Sequence, residues 1–132
     1  MLVFGSPVYF GLETAFMRAF EERLWFQYQL YSKVKPRLSP RKKAAALVFT
    51  MNVSEEQSAT DGKQVIFEKA KFFMELEFAP CEVLLSCDTL QFDDYSKYDT
   101  DMFDVNAKRE RHATVFPQEL ENAFHLGECL VT

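Results

Sequence analysis

The sequence predicts one α/β domain built on a parallel sheet. Two observations carry this. Short apolar runs of strand length alternate with longer segments whose apolar residues recur at helical spacing. The 132 residues also suffice for one hydrophobic core and leave no room for a second, so residues 1–132 form a single domain. The predicted order is strand, helix, strand, helix, strand, tail, helix. That amounts to about three strands and three helices, with right-handed crossovers placing helices on both faces of the sheet.

Residues 1–10, MLVFGSPVYF, give a short apolar strand over Met1 to Phe4 that ends in a Gly-Ser-Pro loop. From Leu12 the period changes. Leu12, Phe16, Ala19, Phe20 and Leu24 form one stripe, with Glu13, Arg18, Glu21 and Glu22 away from it, which predicts a helix over 12–28. Residues 33–43, KVKPRLSPRKK, carry six Lys or Arg and two Pro. This is either an anion patch or a solvated connection, and the prolines favour the connection by preventing a regular basic helix. AAALVFT at 44–50 predicts a strand buried on both faces, and MNVSEEQSATDG a polar loop. Ile66, Phe67, Ala70, Phe73 and Met74 place a helix over 63–78, stopped by Pro80, and CEVLLSC at 81–87 is the third strand. Residues 88–115 are acidic and aromatic without a clean period and are expected to be irregular. A last helix is predicted from Pro117 to just before Gly127, with Leu120, Ala123 and Phe124 facing inward.

In sheets of this kind ligands bind beyond the carboxyl ends of the strands. The loops at 5–11, 50–56 and 88–95 all leave such ends, so a site is expected where they converge. Bulk properties narrow the partner. A net charge of −5 argues against nucleic acid or an anionic membrane. Cys81, Cys87 and Cys129 give neither an even disulfide framework nor a CxxC pair, no signal peptide is recognisable, and no apolar run reaches membrane-spanning length. The cytoplasm is the expected compartment.

Gly5-Ser6-Pro7-Val8-Tyr9-Phe10-Gly11, after a strand and before an amphipathic helix, resembles the flavin-ring loop of the NAD(P)H-dependent FMN reductase and iron–sulfur flavoprotein families. Three further segments fit the same resemblance. They are Met17-Arg18-Ala19-Phe20 with Arg23, then Phe49-Thr50-Met51-Asn52, and the tail from Gln91 to Tyr95 with Phe116-Pro117 and Ala123 to Gly127. The resemblance implies a flavodoxin-like fold, an FMN cofactor and NAD(P)H as reductant. It implies cofactor contacts from Ser6, Pro7, Val8, Tyr9, Phe10 and Gly11, with Thr50 and Asn52 from the next loop. Backbone N–H groups of Val8 to Phe10 would donate to the pyrimidine edge of the ring, and Tyr9 or Phe10 would cover a face. Gly5 and Gly11 would let the backbone come close, and Pro7 would stiffen the approach.

The families named begin with a strand and a loop that wraps the FMN phosphate at a helix N-terminus. This chain begins at what would be their third strand and has neither that loop nor an upstream cysteine cluster. A fragment, an internal start or a shortened homologue is therefore expected. The edge left beside the first strand predicts self-association into a homo-oligomer, with Trp25 and Phe26, off the main helical stripe, as a second contact.

Asp93, Asp94, Asp99, Asp101 and Asp104 lack the alternation and glycine of an EF-hand loop, so a solvated acidic face is expected there. His112 and His125 lie far apart with no Ser or Cys arrangement that spacing would assign to a triad, and His125 is expected at the surface. Cys81 and Cys87 are expected as small buried side chains in or beside the third strand. Two functions remain open. One is an FMN-dependent oxidoreductase, in which the flavin does the chemistry and no acid–base residue is demanded. The other is a cofactor-free flavodoxin-like remnant acting as an assembly or interaction module.

Overall fold

The computed structural model describes residues 1–35, 37, 38 and 43–131. Its sheet is mixed. Strands β1 (Leu2–Tyr9), β3 (Ala45–Thr50) and β4 (Cys81–Ser86) run parallel, and the two-residue β2 (Leu12–Glu13) is antiparallel to β1, in the order β2-β1-β3-β4. The apolar runs at 44–50 and 81–87 form the strands predicted for them, and the expected α/β class holds.

The first strand does not stop at Phe4. Gly5, Ser6 and Pro7 pair with Val48, Phe49 and Thr50, and Val8 and Tyr9 then pair with Glu13 and Leu12. The turn is thus only Phe10-Gly11, both at positive φ (+54° and +85°), as a two-residue type I′ hairpin loop requires. The loop expected over 5–11 is therefore mostly strand.

Helix α1 (Ala15–Phe26) starts late because Thr14 caps it, its hydroxyl accepting the Met17 N–H. Its buried face differs from the predicted stripe. Met17 and Glu21 are buried, with Leu24 and Trp25 partly so, while Phe16, Ala19 and Phe20 are exposed. Trp25 stacks on Phe73 and donates to Met74 Sδ at 3.3 Å, so it packs inward, and only Phe26 of the expected contact pair is exposed.

The polar loop after β3 contains a helix, α2 (Glu55–Thr60), capped by Ser54. Gly62, at φ +72°, separates it from α3 (Lys63–Glu75). The main core lies between one face of the sheet and α1 and α3: Ala45, Leu47, Phe49 and Cys81 pack with Met17, Phe67, Ala70 and Met74. Cys81 and Cys87 are buried, as predicted.

The segment expected to be irregular folds into a 3-10 turn (Tyr95–Lys97) and α4 (Val105–Thr114), capped by Asp94 and Asp104. The last helix, α5 (Phe116–Val131), runs through Gly127 and packs on α4 and β4. Leu120 and Phe124 of its predicted inward stripe are exposed, and Leu130 is the buried residue. Among the described residues there are therefore four strands, five α-helices and one 3-10 turn, against the three strands and three helices expected.

In the basic run, Arg37 makes a 2.7 Å ion pair with the buried Glu77, ahead of β4 and so at the amino ends of the strands. The anion-patch reading rests partly on 36 and 39–42, which lie outside the described residues. Among the described residues no helix is long and apolar enough to cross a membrane.

Candidate functional site

The register of the sheet brings Pro7, Thr50 and Ser86 into one row across the carboxyl ends of β1, β3 and β4. Beyond that row a cleft of about 530 Å³ opens between the end of β1 and the segments that follow β3 and β4. Six of the eight predicted contact residues line it: Pro7, Val8, Tyr9, Phe10, Thr50 and Asn52. Met51, Thr89, Leu90 and Gln91 complete the wall. The three segments expected to converge therefore do so.

The other two predicted residues sit elsewhere. Ser6 is buried, and its hydroxyl donates to Pro7 O (2.9 Å) or Thr14 Oγ1 (3.2 Å) and accepts the Thr14 N–H (3.0 Å). Its work is to lock the hairpin to the start of α1. Gly11 faces a neighbouring hollow with Asp61 and Lys63, and its positive φ serves the turn. Gly5 lies within the β1–β3 ladder opposite Val48 and does not line the cleft.

Two features of the cleft suit a flat, hydrogen-bonding ligand. Phe10 is fully exposed and Tyr9 is 61% exposed, so two rings stand at the hairpin tip with little protein against them. Phe10 is also held at positive φ, a conformation that disfavours an aromatic residue by about 1 kcal/mol. The second feature is Asn52, whose side-chain oxygen is buried with no hydrogen-bond partner among the described residues. A buried acceptor left unpaired destabilises the protein by about 1–3 kcal/mol, and a ligand N–H would relieve it.

The backbone of the cleft is rigidly tied. The Met51 N–H donates to Ser86 O (2.9 Å), the Asp88 N–H to Val53 O (2.8 Å) and the Thr89 N–H to Met51 O (3.0 Å). Lys108 completes the tie from α4. It is only 5% exposed, and its ammonium donates to the Asp88 carboxylate, to Asn52 O (3.3 Å) and to Thr89 O (3.4 Å). One buried cation therefore clamps the segments that follow β3 and β4. No family model, curated protein or solved structure matches the chain.

Val8 and Tyr9 pair with Glu13 and Leu12 of β2, so of the predicted donor set only Phe10 lies in the turn. Among the described residues no Lys or Arg lines the cleft. Burial pushes the nearby Cys87 thiol above its ordinary range, with Glu55 adding to the rise, and raises Cys81 to about 11. Both thiols are therefore protonated and unreactive near neutral pH.

Sequence reasoning missed Met51, Leu90, Gln91, Asp88 and Lys108 as individual residues, although it placed 88–95 at the right end of the sheet. Lys108 offered one usable signal: Asp104, a helix cap, stands four residues ahead of it.

Proposed function

We propose that this chain is a flavodoxin-like flavin-binding module of the NAD(P)H-dependent FMN reductase type. The observation that carries the reading is the cleft at the carboxyl ends, whose lining holds two exposed rings from the hairpin tip and Asn52, with its buried, unpaired side-chain oxygen. The parallel order β1-β3-β4, with crossovers through α1 and α3, fits the last three strands of a flavodoxin-like sheet. When bound, the flavin supplies hydride acceptance from NAD(P)H and onward electron transfer. The chain's own residues supply position. Tyr9 and Phe10 cover a ring face, Asn52 accepts an N–H from the pyrimidine edge, and Lys108 holds the Asn52 and Thr89 segments at fixed spacing.

Among the described residues the cleft lining holds no Lys or Arg to meet a phosphate. Charge-assisted hydrogen bonds to a phosphate contribute roughly 1.5–3 kcal/mol each, so their absence makes riboflavin and FMN bind alike. Titration of both ligands, followed by flavin fluorescence quenching and calorimetry, tests the reading. Saturable micromolar binding of both within fivefold, lost in Asn52→Leu, is the expected result. A protein that stays colourless and binds neither removes the flavin reading.

A second reading, a cofactor-free interaction module, draws on the open side of β1. From Leu2 to Pro7 that strand has β3 on one side and no described strand on the other, and Val3 is exposed on its outer face. An unpaired apolar edge is a template for a second chain. Size exclusion with light scattering measures this independently of flavin. A dimer or larger assembly at tens of micromolar supports it, and a clean monomer removes it.

A further inference from the structure

A second and larger cavity, of about 720 Å³, lies between the β1–β2 hairpin, the first half of α1 and α3. Its size falls within the range of small-molecule sites. The walls are apolar: Phe10 and Leu12 from the hairpin, Ile66, Ala70 and Phe73 from α3. Polar groups are few, and their partners decide which ligand the cavity suits.

Glu13 is the acidic residue in the lining. Its side chain is 7% exposed, and its charge is offset in part by Arg18, 3.6 Å from one oxygen, while the other oxygen is buried without a hydrogen-bond partner among the described residues. Arg18 is shared between Glu13 and Glu22 (3.0 Å) and lies 5.6 Å over the Trp25 ring. Lys69 differs from its neighbours on α3. Lys63 is paired with Asp61 and Lys71 with Glu75 and Glu82, whereas Lys69 has no ionic or hydrogen-bond partner among the described residues. The start of α1 opens on the same cavity through Thr14 and Ala15, and its first turn carries no acidic residue to offset the positive end of the helix.

We propose that this cavity is a second ligand site, for a small planar aromatic bearing one anionic group. The apolar walls take the ring, and the anion meets the unpaired Lys69 and the positive end of α1. The inference stands apart from the flavin reading, because its charged and helical components lie outside the carboxyl-end cleft.

Trp25 is the single tryptophan and stacks on Phe73, a wall residue, at 5.1 Å, so its fluorescence reports occupancy. The probe is 2-naphthoate, titrated into the flavin-free full chain and checked by calorimetry, with 2-naphthamide as the uncharged isostere. Naphthoate is expected to bind saturably, and naphthamide about tenfold more weakly. Lys69→Gln, a change at an exposed position, is expected to remove that difference, while Asn52→Leu leaves it intact. Equal binding of acid and amide, indifference to Lys69→Gln, or no saturation by millimolar naphthoate each overturns the proposal. Loss of naphthoate binding in Asn52→Leu with circular dichroism unchanged also overturns it, by assigning the probe to the other cleft.

Discussion

Replacing Lys108 with Met removes a cation from the point where two strand ends are joined. The side chain is 5% exposed, its ammonium meets one carboxylate and two carbonyls, and it lies 5.4 Å from the Phe103 ring. Methionine fills a similar volume, so the packing loss is small and the polar loss dominates. Breaking a buried pair by deleting one partner destabilises proteins by about 3–5 kcal/mol. Asp88 keeps 30% exposure and can regain water, which argues for a lower figure of about 2–3 kcal/mol. In a domain of this size that corresponds to a fall in Tm of roughly 8–12 °C. Calorimetry of Lys108→Met, Asp88→Asn and the double variant measures it. The double variant is expected to fall less than the sum of the singles, by about 1 kcal/mol or more. A loss under 2 °C in Lys108→Met, or strict additivity, would refute the clamp. Amide exchange adds a spatial check, with loss of protection at Met51 and Thr89 before the core strands.

Two further outcomes follow from the structure. Burial raises the Glu21 carboxyl from its ordinary 4.5 to about 7, with Glu13 adding to the rise and Arg18 opposing it. Folded protein then binds a proton that unfolded chain has released, so wild-type stability is fully present below pH 4.5 and falls as pH rises to 7. At about 1.4 kcal/mol per pH unit between those values, Glu21→Gln should match wild type near pH 4.5 and exceed it by up to about 3 kcal/mol at pH 8. Parallel melting curves at the two pH values would contradict this. Phe10→Asn places a residue suited to positive φ in the hairpin turn, and is expected to raise Tm by about 4 °C while weakening riboflavin binding several-fold. A fall in both would mean that the ring is structural.

Two strands were legible because near-continuous apolar runs mark them, interrupted in 44–50 and 81–87 only by Thr50, Glu82 and Ser86. The hairpin was not. Ser6 and Pro7 are turn-forming types, and their place in a strand depends on pairing with Phe49 and Thr50, more than forty residues away in sequence. Helix α4 escaped because it buries a lysine where a helix usually buries a hydrophobic stripe, so periodicity had no signal to give. Ser54 as cap and Gln57 at the third helical position were a signal for α2, inside a segment whose polarity suggests a loop. Gly127 misled in the other direction. Glycine ends helices by adopting positive φ, and here Gly11 and Gly62 do so while Gly127 does not.

Helix α1 explains why the cleft was nearly right although its neighbour was turned wrongly. Of the predicted stripe, Leu24 does pack against the core, but Phe16, Ala19 and Phe20 stay exposed, and Met17, Glu21 and Trp25 turn inward instead. The orientation is set at the first turn, where Ser6 holds Thr14 and Thr14 caps Met17. Side-chain pattern alone ranks Phe16 above Glu21 for burial, and it contains no term for how the preceding hairpin launches the helix. Cleft residues escape this ambiguity, because they lie at strand ends whose direction the parallel ladder imposes. The same launch leaves Glu21 buried without a hydrogen-bond partner among the described residues, and Phe16 90% exposed. Both are departures that a stable fold tolerates only a few times, and both lie on the helix that walls the Lys69 cavity.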